Sequence, residues 1–86
     1  MTNEQATKII ASLPEVAKAS AWNDRVYIRL ANLSKNSNGD RNLKIWIKGD
    51  TVTMEPYKGY LSDGASAGVA AIEAAAEKNN MKFVRL

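Results

Sequence analysis

The chain has 86 residues, a formal net charge of +3, a hydrophobic fraction of 45% and a charged fraction of 24%. That describes one globular domain, too short for a second core and too hydrophobic for disorder. It contains no cysteine and no histidine, which excludes disulfides, thiolate chemistry, cysteine-based zinc sites and the commonest general base.

The residues from Met1 to Gln5 lack a basic segment followed by an apolar one, so no secretory signal is expected. No apolar run reaches the length of a bilayer span. The expectation is a cytoplasmic protein with no membrane partner. Thr2 and Gln5 stand at capping-box spacing, and Ala6, Ile9, Ile10 and Leu13 recur on one helical face. Pro14 disfavours a helical Leu13 and ends this helix near Ser12.

Val16 to Trp22 reads as a first strand, turned by Asn23-Asp24 onto Arg25 to Leu30. A further helical turn after Pro14 is the competing reading. The runs Arg25-Val26-Tyr27-Ile28-Arg29-Leu30 and Leu43-Lys44-Ile45-Trp46-Ile47-Lys48 both alternate throughout. Strand side chains alternate between faces, so Val26, Ile28, Leu30, Leu43, Ile45 and Ile47 line one face. The other face carries Arg25, Tyr27, Arg29, Lys44, Trp46 and Lys48.

The polar stretch between these runs contains Asn38-Gly39, a favoured tip for a two-residue hairpin. That tip sets Leu30 opposite Ile47 and Arg29 opposite Lys48, and extends an arm bearing Lys35 and Arg41. Gly49-Asp50 then turns the chain into Thr51 to Glu55, pairing Ile47 with Val52, Ile45 with Met54 and Lys44 with Glu55. Pro56 stops this strand or limits it to an edge. After a connection through Tyr57 to Leu61, Ser62 or Asp63 caps a second helix that runs to about Asn79. Ala65, Val69, Ile72 and Ala76 form its buried face, and Met81 to Leu86 is either a short final strand or a tail.

The predicted fold is therefore α+β: a three- to four-stranded antiparallel meander with an N-terminal and a C-terminal helix packed on one face. Together the two hairpin registers predict a row of cations, Lys18–Arg29–Lys48, across the open face. Tyr27, Trp46 and Trp22 would flank it. Like charges opposite one another are mildly destabilising, and a bound anion would relieve them. Rings beside Arg and Lys suit single-stranded DNA or RNA, because bases stack on rings while cations track phosphates. Aromatic residues are also common in strands and lysines on sheet surfaces, so the same residues fit a merely solvated face.

Nothing in the chain points to catalysis or to a cofactor. The run Gly64-Ala65-Ser66-Ala67-Gly68 lacks the lysine of a phosphate-binding loop and reads as a packing face. Asp40, Asp50, Glu55 and Asp63 do not have the spacing of a calcium loop, so no metal is expected. Without its first strand, the element order resembles the double-stranded-RNA-binding domain in topology, although Ser62, Asp63 and Gly64 stand where that family has a basic cluster. With that strand, residues 16–79 resemble Pur-type single-strand-binding repeats in element order and in the basic–aromatic face. Neither resemblance assigns a family.

The expected function is non-catalytic binding of single-stranded nucleic acid, or a similarly anionic ligand, on the sheet face. Trp22, Tyr27 and Trp46 would stack, while Lys18, Arg25, Arg29, Lys44 and Lys48 would contact phosphates, with Lys35 and Arg41 adding contacts from the arm. The alternative is a small inhibitor or adaptor that binds another protein, such as a nucleic-acid-handling enzyme, through the same aromatic and arginine residues. Either a monomer or a homodimer fits.

Overall fold

A computed structural model describes residues 1–31, 42–56 and 64–86. The elements run α1 (Asn3–Ala11), β1 (Val16–Trp22), β2 (Arg25–Leu30), β3 (Leu43–Lys48), β4 (Thr51–Pro56), α2 (Ser66–Lys78) and β5 (Lys82–Arg85). The strands form one five-stranded sheet in the order β1-β2-β3-β4-β5. The fold is α+β, as the alternation and helical spacing predict.

Helix α1 starts at the capping box. The Gln5 N–H donates to Thr2 Oγ1 at 3.1 Å, and the Thr2 N–H donates to Gln5 Oε1 at 2.9 Å. Two of the orphan amides at the helix start are thereby satisfied. Its C-cap is Ser12, two residues before the proline. Asn23 and Asp24 both take left-handed φ, 54° and 64°, which a type I′ hairpin turn requires and Asn and Asp tolerate. The β1–β2 register follows, with Trp22 opposite Arg25 and Lys18 opposite Arg29. Gly49, at φ 60°, opens the two-residue turn between β3 and β4, where only the first turn residue has positive φ, and Ile45–Met54 and Ile47–Val52 pair as expected.

The second helix starts later than its sequence suggests. Its N-cap is Ala65, without a side-chain cap; Ser62 and Asp63 lie outside the described residues. Its far end is a Schellman closure. The Met81 N–H donates to the Ala76 carbonyl at 2.9 Å and the Asn80 N–H to the Glu77 carbonyl at 3.0 Å, with Asn80 at φ 59°. That closure turns the chain directly into β5, which pairs parallel with β4. A parallel neighbour needs a crossover connection, and α2 supplies it, so the sheet is a four-stranded antiparallel meander with one parallel edge strand.

Both helices cover the same face. Ala6 and Ile10 of α1 and Val69, Ile72 and Ala76 of α2 pack on Val26, Ile28, Leu43, Ile45, Val52 and Met54. Gly68 lets α2 come close: a Cβ there would lie 2.6 Å from Leu30 Cδ2. Asn42 is the buried polar residue of this core, 4% exposed, and its Oδ1 accepts the Leu30 N–H at 2.7 Å. It fastens the start of β3 to the end of β2.

Candidate nucleic-acid interface

The β2–β3 register decides what lies on the outer face. Val26 pairs with Ile45, Tyr27 with Lys44 and Ile28 with Leu43. The expected pairs Leu30–Ile47 and Arg29–Lys48 are therefore not formed, and the Lys18–Arg29–Lys48 row is broken at its second step. The strands have slid by an even number of residues. Faces are preserved by such a slide while every partner changes. The Asn38-Gly39 tip, with Lys35 and Arg41, lies outside the described residues.

The observed pairings create a different row. Trp22 is opposite Arg25 on β1–β2, Trp46 is opposite Thr53 on β3–β4, and Thr53 is opposite Val84 on β4–β5. Continuing the β2–β3 register sets Arg25 beside Trp46. The side chains bear this out, with the Arg25 guanidinium carbon 4.2 Å from the centroid of the Trp46 ring. A cation over an indole face is attracted by the ring quadrupole, by about 0.5–1 kcal/mol at an exposed site. Trp22 and Tyr27 stand diagonally across β1 and β2, centroids 6.1 Å apart and tilted by 48°, a favourable aromatic geometry.

The predicted aromatic residues are thus gathered around one arginine. Trp22 is 64% exposed, while Tyr27, Arg25 and Trp46 are half-buried. The helices pack on the opposite face of the sheet. Lys18 and Lys48 are exposed, and Arg29 is half-buried. Lys44 is tied to Glu55, Nζ to Oε2 at 3.9 Å, as the sequence pairing predicts.

The strands at this face therefore present Lys18, Arg25, Arg29, Lys44, Lys48 and Lys82 against Glu55, and Lys82 is itself tied to Asp50 of the β3–β4 turn, Nζ to Oδ2 at 3.9 Å. The helices carry the acids Glu4, Glu73 and Glu77 with Lys8 and Lys78. Among the described residues, the cationic excess lies on the sheet strands. Thr53, Val84 and Lys82 extend the face beyond the residues singled out by sequence. The signal for Thr53 was the alternation in Thr51 to Glu55; that for Lys82 and Val84 was the short alternation in Lys82-Phe83-Val84-Arg85, which places Phe83 beside Val52 and turns Lys82 and Val84 outward.

Among the described residues, no group of carboxylates comes together as metal ligands would, and no helix is long and apolar enough to cross a membrane. No protein-family model, curated protein or solved structure matches the chain.

Proposed function

We propose that the outer sheet face binds single-stranded nucleic acid without catalysis. The observation that carries this reading is the cluster of Trp22, Tyr27 and Trp46 around Arg25 on the cationic side of the domain. Trp22 offers the most open ring, and Tyr27 supports it from the next strand. Trp46 steadies the Arg25 guanidinium, whose Nη1 donates to the Asp24 carbonyl at 3.2 Å, leaving its remaining N–H groups to reach a phosphate or a base edge. Lys18, Arg29 and Lys48 surround the cluster and would track the backbone. Stacking contributes about 1–3 kcal/mol per base, so one or two bases on these rings already give useful affinity.

The test is a titration of tryptophan fluorescence with a single-stranded oligonucleotide at two ionic strengths. Quenching that weakens steeply with salt supports phosphate contacts. Silence at low salt refutes the reading.

One observation favours a second reading. Arg25 already covers a face of Trp46, leaving less of that ring for a base, and ordered Trp–Arg pairs are typical anchors of protein interfaces. The face would then dock on another protein, with a nucleic-acid-handling enzyme the natural class because its groove attracts cations. Silence toward oligonucleotides, with Trp22 exposed at 64%, points to that partner.

A further inference from the structure

The sheet has two edges, and they differ. β5 is four residues long and carries Lys82 and Arg85, a short charged edge of the kind that discourages pairing. β1 is seven residues long and alternates small residues with Lys18, Ser20 and Trp22. Its register shift between Val16 and Lys18 blunts only the first part. From Lys18 to Trp22 the strand is regular.

The hairpin register fixes which backbone groups this edge offers. In a two-residue hairpin the closing pair, here Trp22–Arg25, exchanges both hydrogen bonds, and bonded pairs then alternate. The amides and carbonyls of Trp22, Ser20 and Lys18 therefore point into β2. Those of Ala19 and Ala21 point outward and take no partner among the described residues.

We propose that this edge pairs with the same edge of a second copy, antiparallel and with Ser20 on the two-fold axis. Ala19 then faces the partner's Ala21, and Ala21 the partner's Ala19, each pair exchanging both its N–H···O bonds. On the outer face Ser20 meets its own copy, and Lys18 meets the partner's Trp22. The register is self-complementary in charge as well as in hydrogen bonds: no lysine faces a lysine, and each cation lies beside an exposed indole. A one-residue shift of the axis to Ala19 leaves Lys18 against Ser20 and removes that contact. The dimer would carry one continuous sheet with two copies of the Arg25 cluster on the same side. This pairing does not depend on what ligand the face binds.

The absence of native cysteine makes the register directly testable. Residues facing each other in a non-hydrogen-bonded antiparallel pair have Cα atoms about 4.5 Å apart, within disulfide reach. Under oxidised glutathione, Ser20→Cys should yield a cross-linked dimer, and Lys18→Cys should not. Light scattering on the unmodified chain at rising concentration should show the mass moving from 9.4 kDa toward its double. Ala19→Pro, which removes an outward amide and spares the β2 ladder, should abolish that rise while circular dichroism remains that of the folded chain. A mass that stays at one chain throughout overturns the proposal. So does a dimer in which Ser20→Cys fails to cross-link or Lys18→Cys cross-links equally. A monomer whose β1 amides gain exchange protection only when a foreign strand-forming peptide is added gives the edge to another protein, and also overturns it.

Discussion

Replacing Glu55 by Gln should strengthen nucleic-acid binding while weakening the fold, and the two effects can be measured separately. Glu55 holds Lys44 at 3.9 Å on the outer face, so Lys44 is less available to a phosphate than an unpaired cation would be. Each phosphate neutralised on a single strand contributes about 0.7 to the slope of log affinity against log salt. With Lys18, Arg25, Arg29 and Lys48 engaged, the slope is about −2.8, a loss of about fiftyfold between ~50 and ~200 mM salt. Releasing Lys44 steepens the slope to about −3.5. An ion pair at this separation is worth about 1 kcal/mol in water, so affinity at low salt should rise about fivefold. Losing the same pair, which is partly exposed, costs the fold up to about 1 kcal/mol, which lowers Tm by up to about 4–8 °C for a domain of this size. Fluorescence titration with an oligothymidylate at four salt concentrations gives the slope, and calorimetry gives Tm. An unchanged slope, or affinity that falls along with Tm, would show that Lys44 does not face the ligand and that the phosphate path has been drawn across the wrong strands.

Three further substitutions separate the site from the scaffold. Trp22→Ala should leave unfolding in urea within about 0.5 kcal/mol of the parent, because the ring is largely exposed, and should cost about 1–3 kcal/mol in oligonucleotide affinity. Equal loss of stability and binding would assign Trp22 to the scaffold instead. Asn42→Ala removes the acceptor of the buried Leu30 N–H, and should lower the urea unfolding free energy by about 1–3 kcal/mol; a neutral result would mean that another group takes up that amide. Gly68→Ala sets a helix-propensity gain of about 1 kcal/mol against overpacking of about 1–3 kcal/mol. The new Cβ would meet Leu30 Cδ2 at 2.6 Å and Cγ at 3.1 Å, and Leu30 is only 3% exposed, so net destabilisation is expected, and a raised Tm would refute the close-approach role of this glycine.

Local signals were legible where the physics is local. The bounds of β1, β2 and β3 follow from alternation and from turn residues that tolerate positive φ. The capping box at Thr2 and Gln5 announces α1, and the spacing of Ala65, Val69, Ile72 and Ala76 announces the buried side of α2. The start of α2 was not legible, because Ala65 caps it without a side-chain acceptor and Ser62 and Asp63 are the stronger cap residues nearby. The parallel pairing of β5 was hidden as well. Whether a four-residue tail adds to β4 depends on where the α2 crossover delivers it, and only the Asn80 turn hints at that exit.

The β2–β3 register is the most instructive difference, because the apolar pattern of the two strands does not determine it. Matching apolar to apolar across a hairpin checks only whether the register is odd or even. Every even slide passes, since side chains return to the same face after two residues. The observed slide kept Val26, Ile28, Leu43 and Ile45 in the core; it left Lys18 opposite Arg29 but removed the Arg29–Lys48 step and set Arg25 beside Trp46. Nearest-neighbour energy favours that outcome: opposed cations repel, whereas a guanidinium on an indole is attracted. The composition of the outer face therefore survives from sequence to structure, and its arrangement does not. One like-charge pair, Lys18–Arg29, is left for an anion to relieve in place of a three-cation row. The case for a ligand passes instead to the exposed Trp22 ring, to the cationic bias of the sheet, and to Lys44, which a single carboxylate at Glu55 holds in reserve.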